Sequence, residues 1–191
     1  MSDKELVEQI VNNDNQRAFE TLVNRYQQKV INICMGFTAS TDEAKDISQE
    51  VFIEVYLSLR KFRQESAFST WLYRIAVNKS INATRQAKKK LLVRLFTKDN
   101  ANANELLIPA DAGAMPDAKM TKKEDYAALK QAIKSLPENQ HIAFTLNKYQ
   151  ELSYKEIAEV MDISLSAVES LIFRAKISLQ KKLAEHFNKK A

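Results

Sequence analysis

The chain has 191 residues, of which 45% are hydrophobic and 28% charged, and its formal net charge is +5. This composition is typical of a soluble globular protein and excludes a mostly disordered chain. Only two glycines and three prolines interrupt long runs of helix-forming residues, so we expect an all-α fold. No apolar run approaches the roughly 20 residues that span a bilayer, and the first ten residues do not resemble a signal peptide. We therefore expect a cytoplasmic protein that does not insert into a membrane.

The residues that most often bind metals or form disulfides are scarce. Cys34 is the single cysteine, and its apolar neighbours predict a buried structural thiol. His141 and His186 are isolated in the sequence and are expected to be ordinary surface residues. We expect no metal site, no cofactor and no catalytic set.

The positive charge is concentrated in one part of the chain. Residues 1–59 carry 5 basic against 10 acidic residues, residues 60–98 carry 11 against 1, and residues 99–191 carry 13 against 13. Such a basic block is self-repelling unless it is solvated or meets a polyanion, which favours nucleic acid or an anionic membrane surface as the partner. Residues 166–191, with 6 basic against 2 acidic residues, form a second and smaller basic patch.

Apolar spacing predicts helices through most of the chain. In order, they cover residues 3–11, 16–37, 41–59, 68–90, 119–135, 138–149, 153–161 and 165–187. Ser40 with Glu43, and Ser153 with Glu156, fit the capping box that begins many helices.

One segment breaks the helical pattern. Residues 100–117 hold one of the two glycines and two of the three prolines among small residues, which predicts a flexible linker. We therefore expect two small helical domains, residues 1–98 and 119–191, joined by residues 99–118. Each is near the lower size limit for an independent core.

The helix predicted at residues 41–59 has two apolar faces. The broader one consists of Ile47, Val51, Phe52, Val55 and Leu59. The narrower one sets two aliphatic side chains beside three polar ones: Ile53, Leu57, Asp46, Gln49 and Glu50. Apolar residues rimmed by acids suggest a protein–protein contact, although a core that wraps both sides of the helix explains the pattern nearly as well.

The helix predicted at residues 68–90 also has two faces. The apolar face consists of Phe68, Leu72, Ile75 and Ala76. The other combines an indole, amides and guanidiniums: Trp71, Arg74, Asn78, Asn82 and Arg85. Groups of these types stack on unpaired bases, bond to base edges and neutralise phosphates. The alternative is that Trp71 closes the rim of the core and the basic residues form a solvated face.

The stretch LSYKEIAEVMDISLSAVESLIFRAK is typical of a helix-turn-helix. Ala158 stands where the helices cross, Asp162 where the turn favours a left-handed backbone, and Ser164 or Ser166 where the second helix needs a cap. The positions expected to face a major groove are Ser166, Ala167, Glu169, Ser170, Phe173, Arg174 and Lys176. A plain helical hairpin is the alternative. The role of Glu169 is left open, since phosphate repels a carboxylate whereas a cytosine amino group can donate to it.

Taken together, these features resemble the bacterial RNA polymerase sigma factors of the extracytoplasmic-function group. The resemblance is carried by DISQEVFIEVYLSLRKF, SAFSTWLYRIAVN and LSYKEIAEVM in this order, and it covers nearly the whole chain. It implies a non-enzymatic subunit that binds core RNA polymerase and directs it to the −10 and −35 elements of a promoter. It also implies an anti-sigma factor as a partner, because members of the group are commonly held inactive by one.

The resemblance assigns roles to matching positions. It implies that Asp46, Gln49, Glu50 and Phe52 dock on the largest polymerase subunits, and the narrower face adds Ile53 and Leu57. It implies that the melted −10 strand is held by Arg63, Ser66, Phe68, Ser69, Trp71, Arg74 and Asn78, and the polar face adds Asn82 and Arg85. It implies that the helix-turn-helix reads the −35 duplex, with Ser170, Phe173 and Arg174 at matching reader positions. Glu169 and Leu171 stand where many relatives have basic residues, so details of −35 recognition are not transferred.

Two other functions compete with this one. A polymerase-independent helix-turn-helix regulator would dimerise or sense a ligand through its N-terminal domain and would favour palindromic sites, but it has no need of the basic block. A nucleic-acid enzyme would need carboxylates or histidines within that block, where residues 60–98 offer only Glu65.

Overall fold

The fold is known from a computed structural model, which describes the backbone of residues 1–38, 40–97 and 118–188. Side chains are described for the same residues, except 92, 94–97, 118–124 and 126. The described residues form helices and no strand. In chain order, the helices are α1 (Asp3–Asn13), α2 (Gln16–Phe37), α3 (Thr41–Ser58), a short 3₁₀ helix (Leu59–Lys61), α4 (Phe68–Thr97), α5 (Ala118–Lys134), α6 (Glu138–Gln150), α7 (Tyr154–Met161) and α8 (Leu165–Asn188).

The all-α fold predicted from the sequence is confirmed, and most helix ends fall within two residues of their predicted positions. The main difference is α4, which continues to Thr97 instead of ending near residue 90. Leucines and lysines follow residue 87, and such residues favour helix even where no tertiary contact requires it. The flexible linker was predicted at residues 99–118, of which 99–117 lie outside the described residues and Ala118 begins α5.

Local capping explains several helix ends. The Ser153 hydroxyl accepts from the Glu156 amide and the Glu156 carboxylate accepts from the Ser153 amide, so the predicted capping box at α7 is complete. Ser40 caps α3 through the Glu43 amide. Asp162 ends α7 with a left-handed backbone, at φ 55°, as predicted for the turn. The Ser164 hydroxyl accepts from the Ala167 amide and begins α8, which decides between the two serines considered.

Helices α1 to α4 pack as an N-terminal bundle around a hydrophobic core. Leu22, Val30, Val51 and Leu72 are among its fully buried side chains. Cys34 is buried in the same core, as predicted, and burial raises the pKa of its thiol. The apolar face of α4 thus anchors that helix, which fixes the direction of the opposite face.

Helices α5 to α8 form the C-terminal bundle. Its own small core joins α5 and the second half of α8 through Ala132, Ile133, Leu136, Ala175 and Leu179. The helix-turn-helix of α7 and α8 is closed by buried Ile157, Val168 and Ile172. The predicted helix-turn-helix is therefore present as a packed unit.

The two bundles share a continuous core, which the sequence does not reveal. Ile142 and Leu146 of α6, and Ile157 and Val160 of α7, belong to the same buried cluster as the N-terminal core. His141 is half-buried at this junction and His186 is half-buried beside Asp125, so the expectation of surface histidines is wrong. Among the described helices, none is long and apolar enough to cross a membrane.

Candidate polymerase and nucleic-acid interfaces

The narrower face of α3 is open to solvent. Ile53 and Leu57 are 60% and 70% exposed, and Asp46, Gln49 and Glu50 are also exposed. The alternative of a core that wraps both sides of α3 therefore fails for this face. Phe52 is 9% exposed and belongs to the core beneath it. The result is an apolar pair rimmed by polar groups, an arrangement suited to a protein partner.

Aromatic packing fixes the start of α4 and the loop before it. Trp71 is half-buried and lies 5.0 Å from Phe62, centroid to centroid, and 6.1 Å from Phe68. Phe68 is itself buried at 5% exposure and packs edge-on against Tyr26. Phe62 thereby stacks on Trp71 and orients the indole.

The loop between the 3₁₀ helix and α4 presents polar side chains next to Trp71. Arg63 is exposed, whereas Ser66 and Ser69 are half-buried. Gln64 has a left-handed backbone at φ 56° and turns the chain towards α4. Tyr73 is buried, and burial raises its pKa to about 12, so it contributes packing and no charge.

The polar face of α4 continues with Arg74, Asn78, Asn82 and Arg85. Asn78, Asn82 and Arg85 are exposed, and Arg74 is half-buried. The structure therefore brings these residues together along one side of a helix anchored by its apolar face, as predicted.

The C-terminal half lies against this polar face. Arg74 donates from Nε to the carbonyl oxygen of Glu159 at 3.0 Å, and from Nη2 to the same oxygen. Arg85 Nη2 lies 2.7 Å and 2.9 Å from the two carboxylate oxygens of Glu138. Both cations thus have partners more than 50 residues away in the chain.

A cleft of about 440 Å³ lies between the bundles beside Arg85. Its walls include Ile81, Lys88, Lys134 and His141. Burial lowers the pKa of His141, and the neighbouring Lys134 and Lys88 lower it further, while the hydrogen bond to the Gly36 carbonyl opposes this shift. Because a carbonyl only accepts, His141 Nε2 carries the hydrogen in this 2.9 Å bond.

The second helix of the helix-turn-helix presents its predicted reader positions to solvent. Ser166, Glu169, Ser170, Arg174 and Lys176 are exposed, and Ala167 is half-buried. Phe173 is 65% exposed, an unusual state for a large aromatic side chain unless it has a partner. The first three turns of α8 thus leave the predicted reader positions accessible.

Comparison with known proteins decides among the candidate functions. The chain matches the family models for Sigma-70 region 2 over residues 22–90 and Sigma-70, region 4 over residues 126–179. It is 37% identical over 181 residues to the RNA polymerase sigma-H factor of Pseudomonas aeruginosa, across 95% of this chain and 93% of the relative. It is 38% identical over 190 residues to the ECF RNA polymerase sigma-E factor of Escherichia coli, across 96% and 95%. The chain belongs to the RNA polymerase sigma factors of the extracytoplasmic-function group.

Solved structures of low sequence identity share the fold of this sigma factor. One is CnrH in complex with the cytosolic domain of CnrY, at a TM-score of 0.66 and 22% identity, covering 96% of this chain and 97% of that one. Another is the sigma factor RpoE in complex with the anti-sigma factor NepR from Bartonella quintana, at a TM-score of 0.61 and 19% identity, covering 87% and 96%. This chain therefore shares its arrangement of helices with both of these proteins.

Membership settles the general function. This sigma factor binds core RNA polymerase, recognises −10 and −35 promoter elements and promotes transcription initiation. A polymerase-independent regulator is excluded, because the N-terminal half matches a sigma region over most of its length.

Sequence reasoning missed the residues that join the two halves. Gly36, Glu138, His141, Thr145 and Glu159 lie at the junction. Gly36 alone gave a usable signal, since a glycine inside an apolar helix often marks a close approach of another backbone or side chain. Glu138 and Glu159 look like any other surface acid in the sequence.

Proposed function

We propose that the polar face of α4, together with the loop before it, holds the melted −10 strand. The observation that carries this proposal is the alignment of half-buried Arg74 with exposed Asn78, Asn82 and Arg85, after a half-buried Trp71. Stacking on an indole, hydrogen bonds from amides and cation–phosphate contacts are the interactions that stabilise single strands. Arg63, Ser66 and Ser69 extend the same surface. Phe68 is buried and supports Trp71 by packing against it.

The narrower face of α3 is the polymerase-binding surface in this proposal. Ile53 and Leu57 supply apolar area, and Asp46, Gln49 and Glu50 supply the polar rim. Phe52 holds the face in place from the core. An apolar centre with a polar rim is the usual composition of a protein interface.

The −35 duplex is assigned to the start of α8. Ser166, Ser170, Phe173, Arg174 and Lys176 are exposed on it, with Ala167 and Glu169 beside them. The two promoter elements are thereby divided between residues 1–98 and residues 119–191, with residues 99–118 connecting them.

Promoter opening in this proposal depends on binding and on no catalytic group of this chain. Each extruded base costs a few kcal/mol of lost stacking, which contacts to Trp71 and the cations offset. Because core polymerase and the chromosome are cytoplasmic, the protein acts there.

An anti-sigma factor is the proposed inhibitor. The support comes from a structural relative solved with such a partner, the sigma factor RpoE with the anti-sigma factor NepR. Pulling down a tagged form of this chain together with the product of the adjacent gene would test it, and purified product that fails to inhibit transcription would count against that partner.

The proposal is tested with purified core polymerase and a library of randomised promoters. Adding this protein should yield transcripts that share two short motifs at a fixed spacing. Variants at Arg74 and Asn78 should change which bases are selected in the −10 motif or at its upstream edge. The bases selected in the −35 motif should stay the same. Selection of the −35 motif alone would refute the role of α4.

A further inference from the structure

The C-terminal half covers the middle of the face that we propose for the −10 strand. The Arg74 guanidinium is bound to the carbonyl of Glu159, in the last turn of α7. Carbonyls in the last turn of a helix lack intrahelical partners and carry partial negative charge, so a guanidinium is a strong partner for them. A cation assigned to phosphate is therefore already bound by the protein itself.

On both sides of Arg74, the polar face borders clefts whose other walls belong to the C-terminal half. Asn78 lines a cleft with Asn139 of α6 and Asp162 of the helix-turn-helix. Ser66, in the loop before α4, faces Lys155 across a second cleft. Further along α4, Arg85 is paired with Glu138. A nucleotide strand laid along this face would have to enter these clefts, and it would meet α6 and α7 at Arg74 and Arg85.

The contact between the two halves includes buried side chains and is part of the hydrophobic core. Ile142 and Leu146 are 6% and 0% exposed, and they join the N-terminal core across the junction. His141 completes the end of α2 by donating to the Gly36 carbonyl, just as Arg74 completes the end of α7. Each half thus caps a helix of the other.

Gly36 shows how closely the two halves approach. A Cβ added at Gly36 would lie 2.3 Å from Cγ2 and 3.3 Å from Cβ of Thr145. Thr145 is fully buried and its side chain is short, so it has little room to move away. Helices α2 and α6 can pack in this way only because residue 36 has no side chain.

We infer that this closed arrangement is autoinhibitory: it withholds the −10 face from DNA until the two halves separate. The polymerase face stays open, with Leu57 70% exposed, and so does the reader helix, with Phe173 65% exposed. The closed protein can thus meet polymerase and duplex DNA first, and the melted strand binds only after opening. Residues 98–117 join the halves, and a chain of that length reaches up to about 70 Å, so its length allows them to separate. The inference rests on the role proposed above for α4.

The full-length protein with Gly36→Ala tests this inference. The added methyl group clashes with Thr145, whereas alanine favours the helical state of α2 itself, so the variant should open without unfolding. Thr145→Ala in the same chain removes the clashing Cγ2 and also a buried hydroxyl without a hydrogen-bond partner, and this double variant should close again.

Two readouts are compared for the wild type, the single variant and the double variant. The first is the radius of gyration from X-ray scattering, which reports closure without DNA. The second is the affinity for a pool of random 20-nucleotide single strands at fixed salt, with duplex of the same length as the control. We expect Gly36→Ala to have a larger radius and to bind single strands at least about threefold more tightly, since affinity scales with the open fraction. Duplex affinity should change less, and the double variant should resemble the wild type in both readouts.

The outcomes separate the inference from the proposed function. An unchanged radius and unchanged affinity across the three proteins would overturn autoinhibition and leave the role of α4 standing. A larger radius with unchanged single-strand affinity would show that closure does not mask a single-strand site. The role proposed for the polar face of α4 would then be wrong.

A cross-link provides a second test that does not depend on Gly36→Ala. Arg85→Cys with Glu138→Cys places two thiols at the junction, while Cys34 is buried and protected. Joining them with a short, thiol-cleavable bis-maleimide should weaken single-strand binding at least about threefold relative to the same variant before cross-linking. Cleavage should restore it. Equal affinity before and after cross-linking would contradict the inference.

Discussion

Gly36 of α2 and Thr145 of α6 are packed so closely that a methyl group on the glycine would lie 2.3 Å from the threonine side chain. The glycine has ordinary helical geometry, since none of the described positive-φ residues is a glycine. It is therefore needed for the approach of the two halves and not for a turn. Residues 109 positions apart in the chain thus determine whether the −10 face is covered.

The first prediction concerns pH. Burial and the nearby Lys134 and Lys88 hold the pKa of His141 below 6.5 in the closed form, and opening relieves the burial and moves Lys88 of α4 away. The closed form is therefore fully stabilised above the ordinary pKa of 6.5 and loses this stabilisation as the pH falls through the lower, closed-state value. The radius of gyration should increase on acidification from about pH 7.5 to 5.5, the range in which histidine titrates.

The surroundings of His141 determine the control for this measurement. Its cleft is lined by Arg85 and Lys88 from α4, Lys134 from α5, Glu43 from α3 and Glu138 from α6. His141→Gln keeps an N–H donor for the Gly36 carbonyl but does not titrate. This variant should show a smaller change over the same pH range, and an unchanged profile would assign the effect to the surrounding carboxylates.

The second prediction concerns the ion pair between Arg85 and Glu138. Glu138→Arg replaces an attraction by a repulsion and should favour opening, which tightens single-strand binding about twofold to fivefold, because exposed pairs contribute roughly 0.2–1 kcal/mol. Glu185→Arg makes the same change of charge at an exposed site on α8 and is the matched control. If both variants bind equally well, the gain comes from net charge and not from opening.

The third prediction concerns Trp71. Replacing it by alanine should weaken binding of the polymerase complex to a pre-melted promoter more than to duplex, by about fivefold or more, because stacking on a base contributes roughly 1–3 kcal/mol. Trp71→Phe should retain much of the affinity. Leu72→Ala is the control, since Leu72 is fully buried and its loss lowers stability by about 2–5 kcal/mol without regard to the DNA form. Equal losses of affinity for both DNA forms with Trp71→Ala would mean that Trp71 supports the core and does not stack on a base.

The fourth prediction concerns the polymerase face. Ile53→Asp with Leu57→Asp should weaken binding to core polymerase at least about tenfold, because both side chains are exposed and desolvating a carboxylate in an interface is costly. The thermal unfolding temperature should change little. Ile53→Met with Leu57→Met keeps the apolar area and should bind nearly as the wild type does. Undiminished binding by the aspartate variant would move the polymerase contact elsewhere on the protein.

Local features of the sequence predicted the helices and their faces well. The periodicity of α3 and α4, the capping box at Ser153 and the turn at Asp162 all depend on neighbours within about four residues. The same periodicity correctly separated buried Leu72 from exposed Asn78. The extension of α4 to Thr97 was missed, because helix propensity continues after the apolar pattern ends.

The packing of the two halves could not be predicted in the same way. Arg74 is bound to a backbone carbonyl, and a carbonyl at position 159 leaves no trace in the amino-acid sequence. Glu138 carries a charge that suits many partners equally well. His141 was expected on the surface because it is covered by elements distant in the chain, among them α2, more than 100 residues earlier.

The central claim is that the −10 face is covered in the free protein and uncovered on promoter DNA. Fluorescence energy transfer between dyes on Lys45→Cys of α3 and Lys181→Cys of α8 measures this directly, since both positions are exposed and Cys34 is buried. We predict efficient transfer in the free protein and a clear fall when core polymerase and a pre-melted promoter are both added. Equal transfer in the free protein and in the promoter complex would contradict the account.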